Sequence, residues 1–207
     1  MSDVVLASDN QGKIREINSL LRNTPLEVVG QGSLGVEPIE ETGTTFIENA
    51  LLKARNAARQ TGLAAIADDS GLEVDALGGR PGVYSARFAG PQATDTKNVE
   101  KLLAALDGIS PEKRSARFRC AMVYVTHADD PDPLICEGAW KGKIITEPKG
   151  DNGFGYDPIF WIEGEKATAA ELAPERKNIL SHRGQALRML VAQLAERSQK
   201  RPNNLNP

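Results

Sequence analysis

The chain has 207 residues, 40% of them hydrophobic, and a formal net charge of −3 at pH 7. This length predicts one well-buried α/β domain, and the charge excludes the concentrated basic surface that duplex nucleic acid requires. The sequence contains no run of about 18 apolar residues and no signal-peptide pattern, so we expect a cytoplasmic protein that binds neither membranes nor polymeric nucleic acid.

The first elements alternate strand and helix patterns. Residues 4–8 (VVLAS) predict a buried strand, 12–23 an amphipathic helix and 26–30 a second strand. This order is typical of an α/β fold. The turn after the first strand reads SDNQGK. Its backbone amides and Lys13 suit a phosphate group, although a plain helix start would show the same pattern.

The next helix has the clearest boundaries in the sequence. Thr45 and Glu48 form a capping-box pattern, and Gly62 predicts the end of the helix. Asn49 and Lys53 lie on its polar face. Such a face is normally just solvated, and it becomes a candidate for function only where it borders a cleft.

Two groups of neighbouring acids stand out. The stretch AIADDSGLEVD places Asp68 and Asp69 after a short apolar run, and Gly71 predicts a turn directly behind them. Adjacent carboxylates repel each other, so a bound cation or a proton to transfer would explain the pair. The loop IEETG carries Glu40 and Glu41, which either compensate the dipole of the following helix or help Asp69 to bind Mg²⁺.

The second half of the chain predicts further strands. A helix is expected from about 94 to 106, followed by antiparallel strands at 116–127 and 134–146 with WKGK at a turn. Cys120 and Cys136 fall in these strands and have no metal-site spacing, so we interpret them as small core residues.

The last motifs combine aromatic and basic residues. The stretch 154–162 (FGYDPIFWI) predicts an aromatic strand whose first rings stack on a planar base, or else a core strand with a glycine bulge. In LSHRG, Ser181 caps the final helix, predicted at 184–196. His182 and Arg183 then lie in its first turn, where cations oppose the helix dipole and a ligand becomes the better explanation.

In this order the chain contains SDNQGK, EETG…TFIENALLKA, ADDSGLEVDALGGRPGVYSARFAG, GFGYDPIF and SHRGQAL. With that order and spacing it resembles the inosine triphosphate pyrophosphatase (Ham1-like) family, bacterial branch. The resemblance spans about residues 3–196. It implies a single domain over 1–196 and a homodimer. The composition of 197–207, polar and proline-containing, predicts a disordered tail that has no counterpart in the family. The implied fold is α/β, a long mixed, twisted β-sheet flanked by helices, with two lobes around a central substrate cleft.

The resemblance also implies an activity. Family members hydrolyse ITP, dITP and XTP to the monophosphate and pyrophosphate with Mg²⁺, which removes deaminated purines from the nucleotide pool. By this match Asp69 is the catalytic proton acceptor, and Glu40 and Asp69 bind the metal. The implied substrate-binding residues are Ser8, Asp9, Asn10, Gln11, Gly12, Lys13, Asn49, Lys53, Ser70, Phe154, Gly155, Tyr156, Asp157, Lys177, His182 and Arg183. Asp9 departs from the less acidic residue expected at its position.

Two other functions remain compatible with the residues alone. One is a metal-dependent pyrophosphatase for modified pyrimidine nucleotides, and the other is a nucleotide-binding sensor without catalysis. For the purine substrates, donors such as Arg183 or backbone N–H groups would favour bases with a 6-oxo group over adenine.

Overall fold

The computed structural model describes residues 4–22, 26 and 28–200. In them seven strands form one sheet in the order β2-β1-β3-β4-β5-β6-β7. The strands are β1 (Val4–Leu6), β2 (Val28–Gly30), β3 (Ala64–Val74), β4 (Ser115–Val125), β5 (Leu134–Ile144), β6 (Phe160–Ile162) and β7 (Ala167–Thr168). The helices are α1 (Gln11–Leu21), α2 (Phe46–Thr61), α3 (Asp95–Ala105), α4 (Pro174–Leu180) and α5 (His182–Lys200).

The sheet is mixed. β1 runs parallel to β2 and β3, whereas the pairs from β3 to β7 are antiparallel. The predicted α/β fold with a long mixed sheet flanked by helices is confirmed, while its division into two lobes stays a prediction. No helix within the described ranges combines the length and apolarity needed to cross a bilayer.

Helices cover both faces of the sheet. On one face the alanines of α2, including Ala50 and Ala54, pack against Ala65 and Ala67 of β3. Small residues on both elements allow this close approach. The other face carries α1 and α5, whose apolar residues pack with Ile66 and with Cys120 and Cys136. Both cysteines are buried and free, which confirms their assignment to the core.

The prediction of a turn at Gly71 is wrong. β3 continues without interruption to Val74, and Gly71 pairs with Arg119 of β4 inside the strand. The glycine is needed for a different reason. A Cβ at this position would contact the backbone oxygen of Gly82 and lie 2.6 Å from Ser85 Oγ, so Gly71 lets the 82–87 segment pack directly on the strand.

Three other boundaries differ from the sequence predictions. The WKGK stretch is not a turn, because it lies within β5, where Trp140 pairs with Phe118 and Lys143 with Ser115 of β4. β6 begins at Phe160, after a loop and a short 3₁₀ turn, rather than at 154. The final helix continues through 197–200, which were predicted as disordered tail, and Arg197 there contacts Asp132 at 2.9 Å. Residues 201–207 lie outside the described residues.

The capping predictions are confirmed. Thr45 caps α2 in a full capping box with Glu48, and Gly62 ends the helix in a left-handed conformation at φ 71°. Ser181 precedes α5, and its Oγ accepts a hydrogen bond from Gly184 N at 3.1 Å. α4, immediately before it, was not predicted, because a seven-residue helix is too short to show a clear period.

Candidate active site

A cleft of about 530 Å³ opens where β1 ends. The last backbone bond between β1 and β3 joins Ala7 N to Ile66 O at 2.8 Å, and β3 then continues alone on this side. β1 lies between β2 and β3 in the sheet. The chain that leaves the carboxyl end of β1 therefore enters an open space beside the continuing strand β3. The start of α1, the 82–87 segment, the 154–157 loop and the start of α5 surround this space.

The turn after β1 brings polar groups to one wall of the cleft. Asn10 caps α1, since its side chain accepts a hydrogen bond from Lys13 N at 3.1 Å. Ser8, Asn10 and Lys13 line the cleft. Asp9 lines it as well, with its carboxylate held by Gln31 Nε2 at 2.5 Å. Amide groups at a helix start together with one lysine form an anion-binding surface.

Asp68 and Asp69 project to opposite faces of the sheet, because side chains alternate along a strand. Asp68 is 1% exposed and points towards α1 and α5. Its Oδ2 lies 3.0 Å from Lys13 Nζ and 3.4 Å from Arg183 Nε, and it accepts from Ser70 Oγ at 3.2 Å. Although burial opposes ionisation, Lys13 and Arg183 hold the pKa of Asp68 well below its usual value. Strand geometry thus removes most of the repulsion that the sequence suggested.

Asp69 has a different environment on the α2 side. Its Oδ2 accepts from Asn49 Nδ2 at 3.2 Å, and its Oδ1 accepts from Ser70 N at 3.0 Å and lies 3.6 Å from Lys53 Nζ. Burial raises the pKa of Asp69, Lys53 opposes the rise, and the nearby Glu41 carboxylate adds to it. A carboxylate with a raised pKa at the wall of a cleft is suited to accept a proton.

Glu41, rather than Glu40, is the acid that the structure couples to Asp69. Glu41 Oε1 lies 2.6 Å from Lys53 Nζ, so one ammonium group bridges the two carboxylates. Although burial opposes ionisation, Lys53 holds the pKa of Glu41 below its usual value. Glu40 is exposed and also lines the cleft.

The cleft is also lined by the loop that contains Phe154, Gly155 and Tyr156. Asp157 holds this loop, because its Oδ2 accepts from Phe154 N at 2.8 Å and from Lys177 Nζ at 2.6 Å. Gly155 N donates to Asp95 Oδ2 at 2.7 Å, and the Tyr156 hydroxyl donates to Ser85 O at 2.9 Å. These bonds fix the backbone around the Phe154 ring.

The first turn of α5 closes the end of the cleft. Arg183 is buried and binds Glu16, Asp68 and Ser70, with Nη2 donating to Ser70 Oγ at 2.8 Å. His182 stacks on Phe118 at a centroid distance of 4.8 Å and an interplanar angle of 11°. Burial lowers the pKa of His182 well below its usual value, so the ring is neutral at pH 7.

Comparison with known proteins identifies the family. The model of the Ham1 family matches residues 4–193. The chain belongs to the Ham1 family. It is 59% identical over 191 residues to the dITP/XTP pyrophosphatase of Shigella flexneri, covering 92% of this chain and 97% of the relative. The dITP/XTP pyrophosphatase of Photobacterium profundum is 56% identical over 196 residues, with coverage of 95% and 100%.

A solved structure agrees with this assignment. A HAM1 protein from Coxiella burnetii superposes with a TM-score of 0.88 at 51% identity, covering 95% of this chain and 100% of that one. The resemblance inferred from the motifs is therefore confirmed, and the mixed sheet described above is the Ham1 fold.

Most of the predicted site residues of this Ham1 chain meet at the cleft. Gln11, Gly12 and Asn49 do not line it. Asn49 is fully buried and supports Asp69, and Gly12 lies against the Phe154 ring.

Sequence reasoning missed Glu16, whose carboxylate binds both Lys177, at 2.7 Å, and Arg183. Its position three residues after Lys13 on one helix face was the available signal.

The contact between Gly12 and Phe154 leads to a prediction. A Cβ at Gly12 would lie 2.6 Å from the ring, so Gly12→Ala should displace Phe154 without harming the helix. We expect KM for the substrate to rise by about tenfold or more, because the displaced Phe154 ring would no longer orient the substrate. The melting temperature should stay unchanged. Gly30→Ala is the control, since a Cβ there meets nothing within 4 Å. An unchanged KM in Gly12→Ala would show that the ring position is irrelevant.

Proposed function

We propose that this protein hydrolyses dITP, XTP and ITP to the nucleoside monophosphate and pyrophosphate. The observation that carries the proposal is the buried Asp69 with its raised pKa, which shares one cleft with the lysines of the phosphate end and the Phe154 ring. The Ham1 relatives named dITP/XTP pyrophosphatase, at 56–59% identity, support the substrate class.

The phosphate chain lies along the start of α1. Lys13 and Lys53 provide positive charge from two sides, and Ser8 and Asn10 provide polar donors at the same wall. Charge of this kind stabilises the anionic oxygens that develop as the phosphoanhydride bond breaks. Lys53 lies 3.6 Å from Asp69, so part of this charge is beside the proposed proton acceptor.

Asp69 orients the attacking water and takes its proton. Asn49 and the Ser70 amide fix the carboxylate by hydrogen bonds, so it holds one position while the α-phosphorus approaches. Because burial raises the pKa of Asp69, its carboxylate accepts a proton more readily than an exposed aspartate does. The reaction needs no covalent intermediate.

We propose that Mg²⁺ takes part. The donor set fits this ion: Glu41 and Asp69 come from separate segments and already meet at one cationic group, the Lys53 ammonium. Asp69 and Glu41 would hold the metal, with Glu40 beside them at the edge of the cleft. When bound, Mg²⁺ would neutralise charge on the phosphates and the leaving pyrophosphate.

The base occupies the end lined by Phe154, Lys177 and His182. The Phe154 ring supplies a stacking surface, with Lys177 Nζ 5.0 Å from its centroid. His182 is neutral and its Nδ1 has no hydrogen-bond partner among the described residues, so the ring has capacity to bind a base substituent. Arg183 is occupied by Glu16, Asp68 and Ser70, and it therefore acts by holding these groups in place.

A substrate panel tests the proposal. Pyrophosphate release with Mg²⁺ is measured for dITP, XTP, ITP, dGTP, dATP and dUTP. We expect fast release from the first three and slow release from the others. Preferential turnover of dUTP would support a pyrimidine pyrophosphatase instead, and binding of dITP without release would support a sensor.

The proposal also covers the cellular location and the oligomeric state of the protein. We propose that it acts in the cytoplasm, where nucleotide pools are used, and as a homodimer. Light scattering of the purified protein would measure the assembly, and a monomer at micromolar concentration would contradict the dimer.

A further inference from the structure

The cations at the phosphate end of the cleft differ in how firmly they are held. Lys13 lies 3.0 Å from the buried Asp68, and Lys53 lies between Glu41 and Asp69 at 2.6 and 3.6 Å. Both side chains are largely buried, at 13% and 17% exposed. Their positions are set by carboxylates that belong to the site.

Arg87 is the exception. It lies at the end of the 82–87 segment and lines the same cleft, but its side chain is 43% exposed. Its one described ion pair is the 3.5 Å contact from Nη1 to Glu41 Oε2, which is long for a hydrogen bond. The guanidinium also lies 5.1 Å from the ring centroid of Tyr84, itself 59% exposed. Arg87 can therefore leave Glu41 at small cost.

We propose that Arg87 binds the pyrophosphate half of the substrate, and so acts as a further catalytic residue. This inference rests on the proposed function. Its guanidinium would exchange the weak contact with Glu41 for the β- and γ-phosphate oxygens, to which it can donate two parallel hydrogen bonds. The Tyr84 ring supports the planar group from one side.

The hydrolysis step explains what the Arg87 guanidinium would contribute. The water oxygen forms a bond to the α-phosphorus, and the bond from that phosphorus to the oxygen bridging to the β-phosphorus breaks. The bridging oxygen leaves with the pyrophosphate, and the proton of the water passes to Asp69 and then to solvent. Negative charge accumulates on the leaving pyrophosphate, and the partly exposed Arg87 guanidinium, which lines the cleft, stabilises this charge.

The test measures the binding of each reaction product, pyrophosphate and dIMP, separately. Binding of inorganic pyrophosphate with Mg²⁺, and of dIMP, is measured by calorimetry for the wild type, Arg87→Ala and Arg87→Lys. The control is Arg80→Ala, because Arg80 is exposed, precedes the same segment and does not line the cleft. Arg87→Ala should weaken pyrophosphate binding by about tenfold or more and leave dIMP binding unchanged. Arg87→Lys should lie between Arg87→Ala and the wild type, since an ammonium lacks the paired donors.

Two results would overturn the inference. One is pyrophosphate binding in Arg87→Ala equal to that of the wild type. The other is an equal loss of pyrophosphate and dIMP binding, which would indicate a general disturbance of the cleft. If Arg87→Ala fails to fold, Arg87→Lys alone decides between these results. A wild-type protein that releases no pyrophosphate from dITP would instead contradict the proposed function.

Discussion

Asp69→Asn is expected to reduce the turnover of dITP by about 10²–10⁴-fold, because it removes the carboxylate that we propose accepts the proton of the attacking water. The amide has nearly the same shape as the carboxylate, so the fold should remain. The substituted side chain binds Asn49 and Ser70 more weakly than Asp69 does, but its amide oxygen can still accept one of the two hydrogen bonds. The measurement is the steady-state rate of pyrophosphate release at saturating Mg²⁺.

The control and the pH profile make this prediction specific. Asp75→Asn changes an exposed carboxylate just after the same strand, which contacts Ser115 and does not line the cleft, and should retain full turnover. In the wild type, turnover should fall with decreasing pH as Asp69 becomes protonated. Because burial raises the pKa of Asp69 in the metal-free protein, titration of this carboxylate without Mg²⁺ should show protonation at a higher pH than for an ordinary aspartate. Turnover in Asp69→Asn near the wild-type value would refute the role of Asp69.

Asp68→Asn is expected to destabilise the fold by about 3–5 kcal/mol, because it leaves the partly buried Lys13 and the buried Arg183 without their shared carboxylate. The free energy of unfolding is measured by urea denaturation. The control is Asp132→Asn, whose carboxylate is 84% exposed although it also pairs with an arginine, and it should cause little change.

The effect of Asp68→Asn depends on pH in a defined direction. The pKa of Asp68 is lower in the folded protein than in the unfolded chain, so its ionised form contributes stability above the unfolded pKa of about 3.9. This contribution is lost as the pH falls towards the folded value. The stability difference between the wild type and Asp68→Asn should therefore be full at pH 6 and shrink below about pH 4. A constant difference across this range would show that the ion pairs contribute nothing.

Local features of the fold were predictable from the sequence. The capping box of α2 depends on residues three positions apart, and Gly62 ends the helix by its own conformational freedom. Strand and helix order also followed from periodicity. The prediction of a turn at Gly71 was wrong because the glycine is required by its close contact with Gly82 and Ser85, and no local sequence pattern reveals that contact.

Most of the residues predicted for the site line the cleft, but their arrangement could not be predicted from the sequence. The motifs named Asp69, Lys53 and Lys13, yet the sequence did not show that Asp68 and Asp69 face different helices. That separation required β3 to continue past the acids as one strand. The pairing of Glu16 with Lys177 and Arg183 joins residues more than 150 positions apart, so only the folded chain reveals it.

The central claim is that water attacks the α-phosphorus of a deaminated purine triphosphate under the control of Asp69. Hydrolysis of dITP in ¹⁸O-water, with mass analysis of both products, tests it most directly. The account predicts one ¹⁸O atom in dIMP and unlabelled pyrophosphate. Label in the pyrophosphate, or release of orthophosphate in its place, would place the attack at another phosphorus and contradict the account.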